Sequence, residues 1–207
     1  MSIYPKKTDT CAHLLYRCFF MSFMLPEVLV TTESVEILDL DGVNRALTRI
    51  AHEIIEKNKG VDDLVLIGIR TGGAYLGEQI QRRINEIESV SVPFGSIDIT
   101  MYRDDLASRK HLAVGQTDIR FNLDGKRVVL VDDVLFTGRT IRAAMDAVMD
   151  LGRPQSIQLA ILIDRGHREL PIRPDYIGRN LPTSRNEQIK VDFDEQNIPR
   201  AIYLLKS

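Results

Sequence analysis

The sequence predicts an α/β fold around a mainly parallel sheet, and three observations carry that prediction. Two apolar runs, "LVLIGI" (64–69) and "VVLV" (128–131), each lead to a glycine-containing turn, "RTGG" and "FTGRT". Each turn opens a stretch of helical period, and a third apolar run, "SIQLAILI" (156–163), follows the second of these helices. Continuous apolar strands alternating with helices belong to a parallel sheet covered on both faces, whose ligands bind at the carboxyl ends of its strands. Both glycine turns lie at such ends.

Taken in order, Val43, Leu47, Ile50, Ala51 and Ile54 recur at spacings of three and four and define an amphipathic helix. Asp39 or Asp41 is available as its N-cap and Gly60 as its terminator. Its other face gathers Arg45, Thr48, Arg49, His52 and Glu56. After the strand at 64–69 and the tight "RTGG" loop, a second helix points Leu76, Ile80 and Ile84 inward. "SVSVPFGSIDITMYR" (89–103) reads as one or two further strands. "DDLASRKHLAVGQTD" (104–118) is polar without an apolar period and reads as a long mobile loop. The third helix carries Ile141, Ala144, Met145 and Val148 inward and ends near Gly152 and Pro154.

The 207 residues are expected to form one domain over 31–207, with 1–30 as an extension that shows no period. That extension is either genuine or the product of a start upstream of Met21 or Met24. The 27 basic and 29 acidic residues leave a net charge of −2, so any nucleic-acid site must be a local patch. Cys11 and Cys18 lack zinc-site spacing, and a reducing cytoplasm is the expected location. The apolar stretch at 14–25 is too short for a membrane span, contains Arg17 and lacks a small-residue cleavage site.

"VVLVDDVLFTGRT" (128–140) concentrates the chemistry. Unpaired backbone N–H groups opening the Ile141 helix suit a phosphate, Gly138 permits close approach, and Thr137 and Thr140 add hydroxyls. Asp132 and Asp133 at the strand end suit the vicinal hydroxyls of a sugar. Together they describe a ribose 5-phosphate site; the bland alternative is that the acids only cap the turn. No G-x-G-x-x-G follows a strand, and the turn lacks the lysine and spacing of a Walker A loop. His111 and His167 have no second metal ligand at helical or hairpin spacing.

The same thirteen residues resemble the phosphoribosyl pyrophosphate (PRPP) motif of type I phosphoribosyltransferases. "RALTRIAHEIIEKNKG", "DITMYRDDL" and "LIDRGHRELPIRPDYIGRNLPTS" extend the likeness, over roughly 35–205, to the family's pyrimidine-operon regulators. The resemblance implies the type I phosphoribosyltransferase fold, a sheet flanked by helices with a small hood over the base pocket. It implies uracil phosphoribosyltransferase activity joined to UMP-dependent binding of leader mRNA and transcription attenuation. Asp132 and Asp133 become the ribose binders, and Val134, Leu135 and Phe136 lead into the 5-phosphate turn Thr137, Gly138, Arg139 and Thr140. Thr71 and Gly72 belong to the pyrophosphate loop, and Arg103 begins a loop that closes over PRPP and acts in catalysis. Arg165, and Ile189 through its backbone, line the uracil pocket. Mg²⁺ enters with PRPP, with Asp132 or Asp133 available to it. Some family members have arginine where this chain has Gly72, which removes a positive partner for the leaving group; Arg70 stands nearby.

The resemblance also places Thr48, Arg49, His52, Arg168, Arg173 and Arg179 on an RNA surface. On composition alone the helix face among them reads as merely solvated. Residues 165–190 hold six Lys or Arg against three Asp or Glu, which keeps a basic patch on an acidic chain. Homodimers or higher homo-oligomers are implied by the same likeness, and no membrane partner is. Two other readings stay open: a salvage uracil phosphoribosyltransferase with no RNA role, and a nucleotide-sensing RNA binder with weak catalysis. Purine specificity is disfavoured by the "DRGHRELPIR" block.

Overall fold

The computed structural model describes residues 33–104 and 116–206. Five strands form a wholly parallel sheet: β2 (Leu64–Ile69), β3 (Phe94–Ile97), β4 (Arg127–Leu135), β5 (Ser156–Asp164) and β6 (Tyr176–Asn180), in the order β3-β2-β4-β5-β6. Strands β1 (Glu33–Leu38), β7 (Gln188–Phe193) and β8 (Pro199–Lys206) form a separate antiparallel sheet in the order β1-β8-β7. This is the α/β arrangement expected, with the smaller sheet as its hood. The extension 1–30 and most of the 104–118 loop, His111 included, lie outside the described residues.

Alternation along the parallel strands divides the core into two layers. Leu64, Leu66, Val129, Val131, Ala160 and Leu162 face helices α1 (Leu40–Asn58) and α2 (Gly72–Glu88). Val65, Ile67, Val128, Leu130 and Ile161 face α3 (Arg139–Leu151). Because both faces are covered, the strands read as unbroken apolar runs. In α3 the inward stripe is Ile141, Ala143, Ala144, Ala147 and Val148, while Met145 is only half-buried. Small alanines let that helix approach the sheet closely.

Asp39, not Asp41, caps α1: its backbone is extended and its carboxylate accepts the Gly42 N–H at 2.8 Å. At the other end the first left-handed residue is Lys59 (φ 55°), and Gly60 follows it with its N–H on the Ile55 carbonyl at 3.0 Å. The segment 89–103 supplies one strand, β3, followed by a single 3₁₀ turn, Thr100–Tyr102. Strands β1, β6 and β7 are short and largely half-exposed or exposed, and β8, though eight residues long, carries charged residues near both ends.

Strand order reverses between β2 and β4, since the chain moves from β2 outward to β3 and then returns to β2's other side. In open parallel sheets such a reversal leaves a crevice at the strand ends. The "RTGG" loop after β2 and the acid pair ending β4 meet there.

Candidate active site

Asp132 is 7% exposed, and its Oδ1 accepts the Asp133 N–H at 3.0 Å. Asp133 Oδ1 in turn accepts the Val134 N–H at 2.8 Å. Each carboxylate is therefore held by the next residue's backbone, and the two carboxyl groups also lie close enough to interact with each other. Burial pushes the Asp132 carboxyl well above the ordinary carboxylate range, the Asp133 charge adds to this, and the positive charge of Arg103 opposes it. Asp133 is raised as well, chiefly by burial. Two adjacent acids so far removed from water gain from further hydrogen-bond donors and positive charge, which sugar hydroxyls and a cation would supply.

On one side of the pair stands α3. Its first turn begins at Gly138, whose φ of 94° is a left-handed conformation that L side chains resist; the glycine offers no side chain to cap the helix, and Thr137 Oγ1 accepts the Arg139 N–H only at a long 3.4 Å. The first-turn N–H groups and the positive end of the helix dipole thus open onto a cleft of about 310 Å³, walled by the stretch from Val134 to Ile141 with Arg103 and Glu169. Arg139 is not aimed at a phosphate in this arrangement. Its Nε and Nη1 hold Glu169 at 2.8 Å and Asp104 at 2.7 Å.

The N-terminus of α2 stands on the other side, also without a side-chain cap. The Arg70–Thr71 peptide preceding it is cis. A Cβ on Gly73 would lie 2.3 Å from the Val131 carbonyl oxygen, and one on Gly72 would lie 2.3 Å from Asp133 Oδ2. Glycine at 72 therefore reflects contact with the acid pair, a reason the sequence does not reveal. Arg70 stays beside the loop, its Nε on Ser96 Oγ at 3.1 Å.

The segment after β5 braces the turn from behind. Glu169 and Leu170 donate their N–H groups to the Thr137 carbonyl. Arg168, placed by resemblance on an RNA surface, is half-buried. Its guanidinium bonds the carbonyls of Phe136 (2.8 Å), Gly166 (3.1 Å) and Ile172 (3.0 Å) and the Asp164 carboxylate (2.5 Å). Sequence reading has no means of seeing that buttress. Arg165 is 7% exposed, lies 4.0 Å over the Phe136 ring, and ties Thr183, Ser184 and Glu187 to the end of β5. It builds the wall between turn and hood. Ile189 lies half-buried on β7, paired with Leu204 at the edge of the smaller sheet.

Thr48, Arg49 and His52 lie together on the exposed face of α1, in a shallow hollow of about 500 Å³ that also includes Asn44 and Arg45. Arg49 reaches the carbonyls of Ile177 (2.9 Å) and Gly178 (2.6 Å) on β6, next to Arg179. Arg179 itself donates to the Ile37 carbonyl at 2.9 Å. The fold thus joins Arg49 and Arg179 through one strand, while Arg173 is exposed in the connection before it. Among the described residues no group of three His, Cys, Asp or Glu could hold a metal ion, and no helix is long and apolar enough to cross a membrane.

Two open helix N-termini flank an acid pair at the reversal point of a parallel sheet, an arrangement suited to phosphorylated sugars. Residues 34–196 match the phosphoribosyl transferase domain family. The bifunctional protein PyrR of Geobacter sp. strain M21 is 63% identical over 175 residues, covering 84% of this chain and 99% of that protein. That of Geobacter sulfurreducens is 66% identical over 171 residues (82% and 97%), and that of Enterococcus faecalis 54% over 162 (78% and 91%). The chain belongs to the phosphoribosyltransferase family, within its group of bifunctional PyrR proteins. A mutant hypoxanthine phosphoribosyltransferase from Trypanosoma cruzi shares the fold at a TM-score of 0.66 and 23% identity, covering 84% of this chain and 96% of that one. One from Staphylococcus aureus does so at 0.60 and 20%, covering 83% and 92%.

Proposed function

We propose that the protein transfers the phosphoribosyl group of PRPP to uracil, giving UMP and pyrophosphate, and that it binds pyrimidine-operon leader mRNA in a UMP-dependent way to promote attenuation. The observation that carries the reading is the Asp132–Asp133 pair between the open ends of α2 and α3. A ligand with a phosphate at one end, a pyrophosphate at the other and a diol between them matches that order of groups.

In the reaction the uracil N1–C1′ bond forms as the C1′–oxygen bond to pyrophosphate breaks, and the N1 proton passes to water or to the departing pyrophosphate. Positive charge develops on the ribose, beside two carboxylates fixed in place beforehand, so little reorganisation is needed as it appears. The α3 turn anchors the 5-phosphate and thereby orients C1′ towards the base. Arg103, close enough for its charge to act on Asp132, contributes positive charge at the cleft mouth. No side chain is required as a nucleophile. Mg²⁺ would enter with PRPP and would supply charge neutralisation at the pyrophosphate, with Asp132 or Asp133 the residues that would hold it.

For RNA, the α1 face offers cations beside hydrogen-bonding groups, with Arg179 on the adjoining strand, which suits an unpaired loop and its phosphates. Homo-oligomeric assembly is part of the same proposal. The experiment is a paired assay on one preparation: UMP formation from uracil, PRPP and Mg²⁺, and titration of leader RNA with and without UMP. Turnover with UMP-enhanced binding supports both halves. Turnover alone leaves a salvage enzyme, and binding alone leaves a nucleotide-sensing RNA binder.

A further inference from the structure

Helix α2 runs from the ligand cleft to the polar face of α1. Its first two residues press on β4 at Asp133 and Val131, with no room for a Cβ at either position. About 16 Å further along the axis, at 1.5 Å per residue, the half-buried Arg83 points across to α1. Its Nη2 donates to Asn44 Oδ1 at 2.8 Å and its Nε to Thr48 Oγ1 at 3.3 Å, while Nη1 bonds the Gln79 carbonyl at 2.8 Å on its own helix. Asn44 and Thr48 line the same hollow as Arg49 and His52. One guanidinium therefore sets two groups of the face proposed for RNA, from a helix whose other end touches the acid pair.

The second cross-link to that face runs from Arg49 to β6, and β5 separates β6 from β4. The α2 route runs through a single helix. An α-helix moves as a unit, so a ligand that alters the seating of Gly72 against Asp133 alters the position of Arg83.

We propose that Arg83 is the joint that relays occupancy of the acid-pair cleft to the α1 face, a proposal that rests on the RNA reading above. A nucleotide between Asp133 and the start of α2 biases one seating of the helix, and Arg83 holds Asn44 and Thr48 in the arrangement RNA prefers. By thermodynamic linkage, RNA tightens UMP binding by the factor that UMP tightens RNA binding.

The test compares wild type with Arg83→Met, which keeps the apolar stem and loses the fork, and with Arg83→Lys, which keeps the charge. Three quantities are read: leader-RNA affinity with and without UMP, UMP-dependent amide exchange across 44–52, and UMP formation. The ratio of RNA affinities falls from a typical coupling of roughly 5- to 150-fold to within about twofold of unity in Arg83→Met. The exchange response disappears with it, Arg83→Lys restores part of both, and uracil turnover is unchanged. Retention of the wild-type ratio and exchange response in Arg83→Met overturns the proposal, as does an α1 face in wild type that ignores UMP. A wild-type exchange response that Arg83→Met abolishes, without any RNA binding, supports the joint and removes the RNA reading instead.

Discussion

Asp132, 7% exposed, takes a hydrogen bond from the very next backbone N–H, whereas Arg49, with 49% of its side chain in solvent, reaches across to two carbonyls of another strand. The cleft at the end of β4 is built mostly from backbone: short acids, a left-handed glycine and two open helix ends. The α1 face is built from side chains, and the Arg49–Glu53 pair on it is an exposed i,i+4 contact worth only a few tenths of a kcal/mol. The difference follows from what each region is proposed to meet. A phosphorylated ribose has one shape, which fixed backbone can match in advance, and an RNA loop is met by long groups that settle on contact.

Breaking the cleft should have the larger consequence. Asp132→Asn with Asp133→Asn is expected to lower kcat/KM for UMP formation by roughly 10²–10³-fold or more, the scale of losing preorganised charge stabilisation. Because both carboxyls are raised by burial, the unliganded double variant should melt no lower than wild type, and above it at neutral pH. Unaltered turnover would remove the ribose assignment. Gly73→Ala comes next, since its Cβ would meet backbone atoms of Val131 and Asp132 that cannot rotate away. Urea unfolding should show a loss of roughly 1–3 kcal/mol, with uracil turnover reduced as the pyrophosphate loop shifts.

The acid pair also predicts a pH signature in stability. A folded-state carboxyl raised above 3.8 binds its proton more tightly than the unfolded chain does, so this contribution is complete below that value and is lost as pH rises through the raised one. One proton sets a slope of at most about 1.4 kcal/mol per pH unit. Asp132→Asn should flatten that part of the stability profile of the unliganded protein. If UMP meets the ionised pair as proposed, its binding should strengthen as pH rises over the same interval. Smallest of all is Arg49→Ala: uracil turnover unchanged, stability within about 0.5–1 kcal/mol, and the salt slope of leader-RNA binding reduced by about one. An equal loss of turnover would show that the face and the cleft are not separate.

Much of the cleft was legible because its parts are local. A strand end, two acids, a glycine and two threonines fall within thirteen consecutive residues, and the physical reason for each acts over a few bonds. Arg168 was not legible. It resembles an RNA contact in sequence, yet its donors are taken by carbonyls and a carboxylate around the turn. Arg139, four residues after Leu135 in the same motif, likewise reads as a phosphate ligand and is bonded to Asp104 and Glu169. A guanidinium at the end of a long flexible stem says little about its partner until the fold supplies the neighbours.

The sequence by itself determined the α/β class, the three helices, the central strands β2, β4 and β5, and the position of the acid pair and the glycine turn after it, since period and turn chemistry are local. Only the tertiary structure decided the order β3-β2-β4-β5-β6, the assembly of the hood from β1, β7 and β8, and the contact of Gly72 with Asp133. Only it decided that Arg83 on α2 meets Asn44 and Thr48 on α1. These join residues far apart along the chain, through packing and hydrogen bonds that no local pattern encodes.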